Sequence, residues 1–338
     1  MQFHLVLPGL AWPQGGASVP ALPALASLLG HARHAWQPTV ALETWLAARF
    51  GATDTRLPLA AVRRAGEATP PDDDAHWLSC DPVHLHFSRD KLLLADASSL
   101  AIGADEAATL IAGLNDTFPD IGRFDAPSPD RWYVALADAP RPFFHPLADV
   151  NGRPVQLFMP EGDEIARWAR LSNEIEVWLY NHPVNAAREA AGQRVINGVW
   201  LWGAGPRDTR FSAPAAQIQA DAPFARGLAR RAGIEPQPAD RYTPGTGFAV
   251  VDSLRQPALH LDAAAWQAAL QQLERDWFAP LLAALKARQL SQLTISAPSD
   301  KHCLHLEIAA SGLWKFWRKP QPLAALLATA PQPAATSP

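Results

Sequence analysis

The sequence predicts an α/β protein of about two domains. The chain has 338 residues, a length that suits two domains. It is 48% hydrophobic and 18% charged, which supplies a sizeable core and argues against a disordered chain. Short apolar or alternating runs recur between stretches with helical spacing of apolar residues.

The elements follow in order. Residues 3–7 read as a short buried strand ended by Pro8-Gly9. Residues 19–31 read as a helix with Pro20 and Pro23 near its start and Gly30 near its end. Residues 41–50 are a second helix, stopped by Gly51. The polar stretch 69–74 is a boundary loop. Residues 83–87 alternate as a strand, Arg89-Asp90-Lys91 turns, and 91–95 return. Residues 105–115 are a helix and 131–137 a strand. Residues 163–181 form the clearest helix, with Ile165, Trp168, Leu171, Ile175, Trp178 and Leu179 at helical spacing. A buried strand over 195–202 ends in Gly203-Ala204-Gly205-Pro206. Residues 224–232 are a short basic helix, and 263–285 a long one bent before Pro280. Strands at 292–297 and 303–308 precede an aromatic, basic run at 312–319 and a disordered, low-complexity tail at 331–338.

Bulk properties narrow the function classes. The net charge of −4 argues against a nucleic-acid partner. Cys80 and Cys303 form no Cys-x-x-Cys pair, so neither a disulfide framework nor a cysteine zinc site is expected. The apolar start is broken at Pro8 with no basic segment before it, so no signal peptide is expected. No stretch approaches the roughly 20 apolar residues of a membrane span. A cytoplasmic protein without a membrane partner is the expectation.

One stretch is specific: His182-Pro183-Val184-Asn185, then Arg188, Gly192, Asn197 and Trp200-Leu201-Trp202-Gly203-Ala204-Gly205. In this order it resembles the archaeal-type cofactor-independent phosphoglycerate mutases of the alkaline-phosphatase superfamily. Residues 56–61, 73–85, 104–115, 131–134 and 222–233 resemble further family segments in the same order. The resemblance implies an alkaline-phosphatase-like core, a sheet flanked by helices, formed by residues 1–75 and 206–330. It also implies a smaller α/β domain inserted at 76–205. The mechanism it implies sets a Ser or Thr nucleophile between two divalent metals, held by several Asp and His ligands.

The departures from the family fall on that chemistry. Pro8-Gly9-Leu10 stands where the family has a ligand Asp after the first strand. In Pro38-Thr39-Val40-Ala41-Leu42, Pro38 takes the nucleophile position, and Thr39, one residue off, is the catalytic candidate. No Asp-His dipeptide occurs, and Ser299-Asp300-Lys301-His302 places a lysine near that site. Residues 266–280 lack the family's Asp-x-x-x-His pair; Asp72 and His76 have the spacing in another part of the fold. No metal or other cofactor is therefore expected, unless the site has been rebuilt.

The ligand-binding candidates are His182, Asn185, Arg188, Asn197, Arg226 and Arg230. Arg offers a fork for phosphate or carboxylate, and Asn can orient such a group. The plainer alternative is that His182 to Asn185 cap the preceding helix, and that Arg226, Arg230 and Arg231 are a solvated face. His84 and His86 with Asp81, and His302 and His305 with Cys303, are looser clusters, read as a polar strand face and an unrelated set. Gly203-Ala204-Gly205 is read as either an anion nest or a tight turn. The run 314–319 is either a partner contact or a turn whose aromatics pack inward.

Three functions are compatible with this reading. The first is a catalytically degenerate mutase-like protein that binds a phosphorylated small molecule or a protein partner in a regulatory role. It is similar to the proteobacterial branch named regulatory protein, RpfE type. The second is an active metal-dependent mutase or phosphatase with a rebuilt site. The third is a scaffold without a small-molecule ligand.

Overall fold

The computed structural model describes residues 1–12, 18–54, 56–71, 75–299, 302–315 and 317–331. The chain opens with β1 (Gln2–Val6), α1 (Pro23–His31), β2 (Arg33–Pro38), α2 (Leu42–Arg49) and α3 (Leu59–Ala65). Then come β3 (His76–Ser88), β4 (Lys91–Ala95), α4 (Ala104–Thr117), β5 (Arg123–Ser128) and β6 (Arg131–Leu136). They are followed by α5 (Leu147–Val150), α6 (Ile165–Tyr180), α7 (Pro183–Ala190) and β7 (Gly198–Trp202). The last part holds β8 (Ile218–Ala220), α8 (Pro223–Arg231), β9 (Phe248–Val250), α9 (Arg255–Leu259), α10 (Ala263–Leu273), α11 (Ala279–Lys286), β10 (Gln292–Pro298), β11 (His302–Ala309) and α12 (Leu323–Leu327).

Two compact units divide the chain. One is Met1–Ala52 with Phe211–Pro338, and the other is Thr53–Arg210. The second begins ahead of the boundary read at residue 76, because the Arg63 and Arg64 side chains of α3 reach Asp81 of β3 and Asp125 of β5.

The discontinuous unit is built on a six-stranded sheet of order β2-β11-β10-β1-β9-β8. Strands β10, β1, β9 and β8 are parallel, while β11 is antiparallel to both β10 and β2. Period-two alternation sends Phe3, Leu5, Leu7, Leu293, Ile295, Leu304 and Leu306 into the core with α1, α10 and α11. His4, Ser296 and His305 face the other way. The long helix predicted over 263–285 is interrupted by a π turn at Glu274–Phe278. The turn presents Glu274 to the start of α1, where its carboxylate accepts the Ala24 and Leu25 N–H groups at 2.5 and 3.1 Å. Those donors have no cap of their own, since Leu22 stands at the N-cap.

The second unit carries a five-stranded sheet of order β4-β3-β6-β5, with β7 on the free part of β3. The sequence shows β3 as an alternating run at 83–87 and, by resemblance, as an entry strand at 73–85. Residues 77–83 do not alternate because they are buried throughout. This is a mixed α/β architecture with sheets flanked by helices, as the sequence predicts. No helix among the described residues is long and apolar enough to cross a membrane.

Candidate functional site

Parallel strands collect ligands at their carboxyl ends, where the loops gather. In the discontinuous unit that edge brings together Pro8-Gly9 after β1, Asp221 after β8, Asp252 after β9 and Ser299 after β10. Thr39 follows β2, whose last residue Pro38 pairs with His302. The Thr39 hydroxyl donates to the Val40 carbonyl at 3.2 Å. Ser299 donates to the His302 carbonyl at 2.7 Å.

The position after β1 is built as a turn without a side chain. Gly9 has φ +85°, and a Cβ there would lie 2.5 Å from the Leu254 carbonyl oxygen. The Gly9 carbonyl accepts the indole N–H of Trp266 at 2.8 Å. Trp266 is fully buried and packs against Trp12 with ring centroids 5.2 Å apart.

Asp221, Asp240 and Asp252 line a cavity of about 310 Å³ beside Trp277. Burial raises the Asp252 pKa, and the nearby Asp221 adds to the rise. Asp221 accepts the Ala239 N–H at 3.1 Å. Among the described residues, no three His, Cys, Asp or Glu side chains converge as a metal-ligating set. The described residues therefore do not fit a two-metal centre. Asp72, Asp300 and Lys301 lie outside the described residues.

Behind this edge, a polar chain crosses the sheet. The His4 Nε2 and Ser296 Oγ lie 2.9 Å apart, and Ser296 Oγ lies 3.2 Å from His305 Nδ1. His305 Nε2 reaches Glu307 at 3.4 Å. Burial, with Arg49 and His305 nearby, lowers the His4 pKa to about 4. Sequence reasoning missed this chain because its members meet only through strand pairing. The one available signal was a histidine inside an otherwise apolar strand.

In the second unit, most of the His182 to Asn197 candidates are held by internal bonds. His182 is the N-cap of α7, a helix the sequence reading missed, and its Nδ1 accepts the Val184 N–H at 3.2 Å. Asn185 is buried, donates to the Leu179 and Ile196 carbonyls and accepts the Ile196 N–H. Arg188 is 1% exposed. It donates to the Arg194 and Leu100 carbonyls and pairs with Glu106 at 2.8 Å. Asn197 exchanges two bonds with the Leu85 backbone. A phosphate could reach Asn185, Arg188 or Asn197 only by displacing these partners.

No protein-family model matches the chain. Curated relatives match parts of it. A 2,3-bisphosphoglycerate-independent phosphoglycerate mutase of Methanothrix thermoacetophila is 29% identical over 114 residues, 34% of this chain and 29% of the relative. The mutase 2 of Methanothermobacter thermautotrophicus is 31% identical over 175 residues, 47% of this chain and 41% of the relative. The chain is similar to cofactor-independent phosphoglycerate mutases, at low identity. The matched segments span less than half the length of these relatives. Among solved structures, the PH0037 protein from Pyrococcus horikoshii shares the fold, with a TM-score of 0.57 at 14% identity, covering 96% of this chain and 92% of that one. The cofactor-independent phosphoglycerate mutase from Thermoplasma acidophilum aligns with a TM-score of 0.45 at 15% identity, over 98% and 95% of the chains.

The remaining mutase-like features resolve locally. Gly203 and Gly205 serve close packing: added Cβ atoms would lie 2.7 Å from the Ala60 nitrogen and 2.3 Å from the Leu57 carbonyl carbon. The Gly203 carbonyl accepts the Ala60 N–H at 2.9 Å. This is the tight turn of the two readings. His84 and His86 stack at 5.6 Å, but Asp81 is turned away from them. It takes both Arg63 N–H groups at 2.8 and 2.9 Å, the Trp132 N–H and the Trp202 indole. Arg63 also lies over the Tyr133 and Trp202 rings. Arg131 and Tyr133 both bond Glu67, which is 2% exposed. On α8, Arg230 forks onto Glu235, and Arg226 is half-buried. The aromatics expected to pack inward do not: Trp314 and Trp317 are 70% and 66% exposed. A 3₁₀ turn at Ala310–Trp314 ends β11 before they can reach the core. Phe316 lies outside the described residues.

Proposed function

We propose that this protein is a catalytically degenerate relative of the phosphoglycerate mutases on the alkaline-phosphatase-like core plan. In this reading it binds a phosphorylated ligand or a protein partner in a regulatory role, and belongs to the branch named regulatory protein, RpfE type. The observation that carries the reading is the turn at Gly9. The plan implied by the resemblance needs a carboxylate there to hold a metal beside the nucleophile. Here the position is packed against Leu254 and its carbonyl is bonded to Trp266.

Metal analysis of the purified protein and an assay interconverting 2- and 3-phosphoglycerate, with and without Mn²⁺, test the reading. The expected result is far less than one metal per chain and no turnover. Tightly bound Mn, Zn or Mg, or any interconversion, would overturn it.

A second reading, an active mutase or phosphatase with a rebuilt site, is favoured by one observation. Asp221 and Asp252 line the same cavity at the carboxyl edge. In that case the loss of metal on substituting Asp252→Asn would accompany loss of turnover.

A further inference from the structure

The second unit holds a larger cavity, of about 930 Å³, between the end of α4 and α6. That is the size of a small-molecule site. Arg170, Glu174 and Trp178 recur at every fourth residue along α6, and His182 continues the series just beyond it. Residues at this spacing lie on one face, about 6 Å apart. All four line the cavity, with Thr117, Phe118, Asn173 and Asn181 around them.

One end of this row is aromatic. Trp178 lies across Gly113 of α4, where a Cβ would meet the ring at 2.5 Å. Its centroid is 4.6 Å from that of His182. The Nδ1 of His182 is an acceptor, and burial lowers its pKa, so the ring is neutral at neutral pH. The other end is cationic. Arg170 is exposed, and none of the Arg170, Asn173 and Glu174 side chains has a hydrogen bond or ion pair among the described residues. The distance from Trp178 to Arg170 along the helix is about 12 Å, from eight residues at the helical rise.

We propose that this groove binds a nucleoside monophosphate. The base stacks on the Trp178–His182 end. The ribose hydroxyls donate to the Glu174 carboxylate, which can only accept. The phosphate takes the Arg170 fork. A single arginine with a carboxylate one turn away favours one phosphate over two or three. The inference rests on the reading above only in taking the ligand to be phosphorylated, and it names the class of that ligand.

Isothermal titration of the full chain with AMP, GMP, CMP and UMP, and with adenosine and ribose 5-phosphate, tests it. AMP is expected to bind more tightly than either fragment. Arg170→Ala, an exposed substitution, should weaken AMP at least tenfold and leave adenosine unchanged. Glu174→Gln should abolish any preference for AMP over 2′-deoxy-AMP. Absence of binding by every nucleotide at millimolar concentration would overturn the proposal. So would an AMP affinity indifferent to Arg170→Ala, or ribose 5-phosphate binding as well as AMP. A chain without metal or turnover that also binds no nucleotide sinks this inference alone. An active metalloenzyme that still binds AMP sinks only the catalytic degeneracy.

Discussion

At the scale of single residues, His4 couples stability to acidity. Its pKa falls from 6.5 in the unfolded chain to about 4 in the fold, chiefly through burial. Between these values the unfolded state binds the extra proton, so stability rises with pH across the window and is lost as pH falls through it. The full contribution is about 3 kcal/mol, from roughly 1.4 kcal/mol per pKa unit. His4→Gln keeps a polar group near Ser296 but cannot take up this proton. Its melting temperature should therefore fall less steeply from pH 6.5 to 4.5 than that of the parent. Parallel profiles for the two proteins would remove His4 as the cause. The alternation of His4 with Phe3 and Leu5 was visible in the sequence. Its partners Ser296 and His305 arrive from strands almost 300 residues away and depend on the pairing of β1 with β10 and β11.

At the scale of elements, α3 is fixed by buried charge. Arg63 and Asp81 are 11% and 1% exposed, and Asp81 accepts four hydrogen bonds. Burial alone would lower the Arg63 pKa, but Asp81, Tyr133 and Glu67 raise it above the ordinary arginine value. Removing one partner strands a buried charge, a loss of about 3–5 kcal/mol, whereas removing both charges costs far less. Asp81→Asn should therefore lower the urea midpoint more than the pair Arg63→Met with Asp81→Asn, in which the amide still accepts from Trp132 and Trp202. A double variant less stable than the single one would refute this. The π turn makes a second prediction at this scale. Glu274→Ala removes the side-chain acceptor that the described residues provide at the start of α1 and should cost about 1 kcal/mol in urea unfolding. Most elements were legible because their apolar periods are clean, as in α6 and β4. β2 was not: Arg33, His34, Gln37 and Pro38 give no apolar period, and the strand forms on the free edge of β11.

At the scale of the whole molecule, the chain makes two cores, and only one is continuous in sequence. Thr53–Arg210 contains its own sheet, its own helices and a closed set of ion pairs from Arg63 to Arg188. Expressed alone, residues 53–210 should unfold in one cooperative urea transition seen by both tryptophan fluorescence and circular dichroism. Noncoincident curves, or no transition, would show that this unit depends on the rest. Residues 56–61 look in sequence like a loop of the core. Their attachment to the second unit shows only in the fold, where Arg56 donates to the Pro140, Arg141 and Pro142 carbonyls and Ala60 donates to Gly203. At the candidate site, the sequence showed that Pro8 and Gly9 offer no ligating side chain after β1, while nothing in it announced that the Trp266 indole would bond the Gly9 carbonyl.

That closure sets what position 9 tolerates. An aspartate at position 9 would need a left-handed backbone and would push its Cβ into the Leu254 carbonyl. The strain would also reach the fully buried Trp266, whose indole N–H donates to the carbonyl of residue 9. Any side chain at position 9 would have to arrive together with a shift of the Leu254 backbone, so this turn is closed to single substitutions.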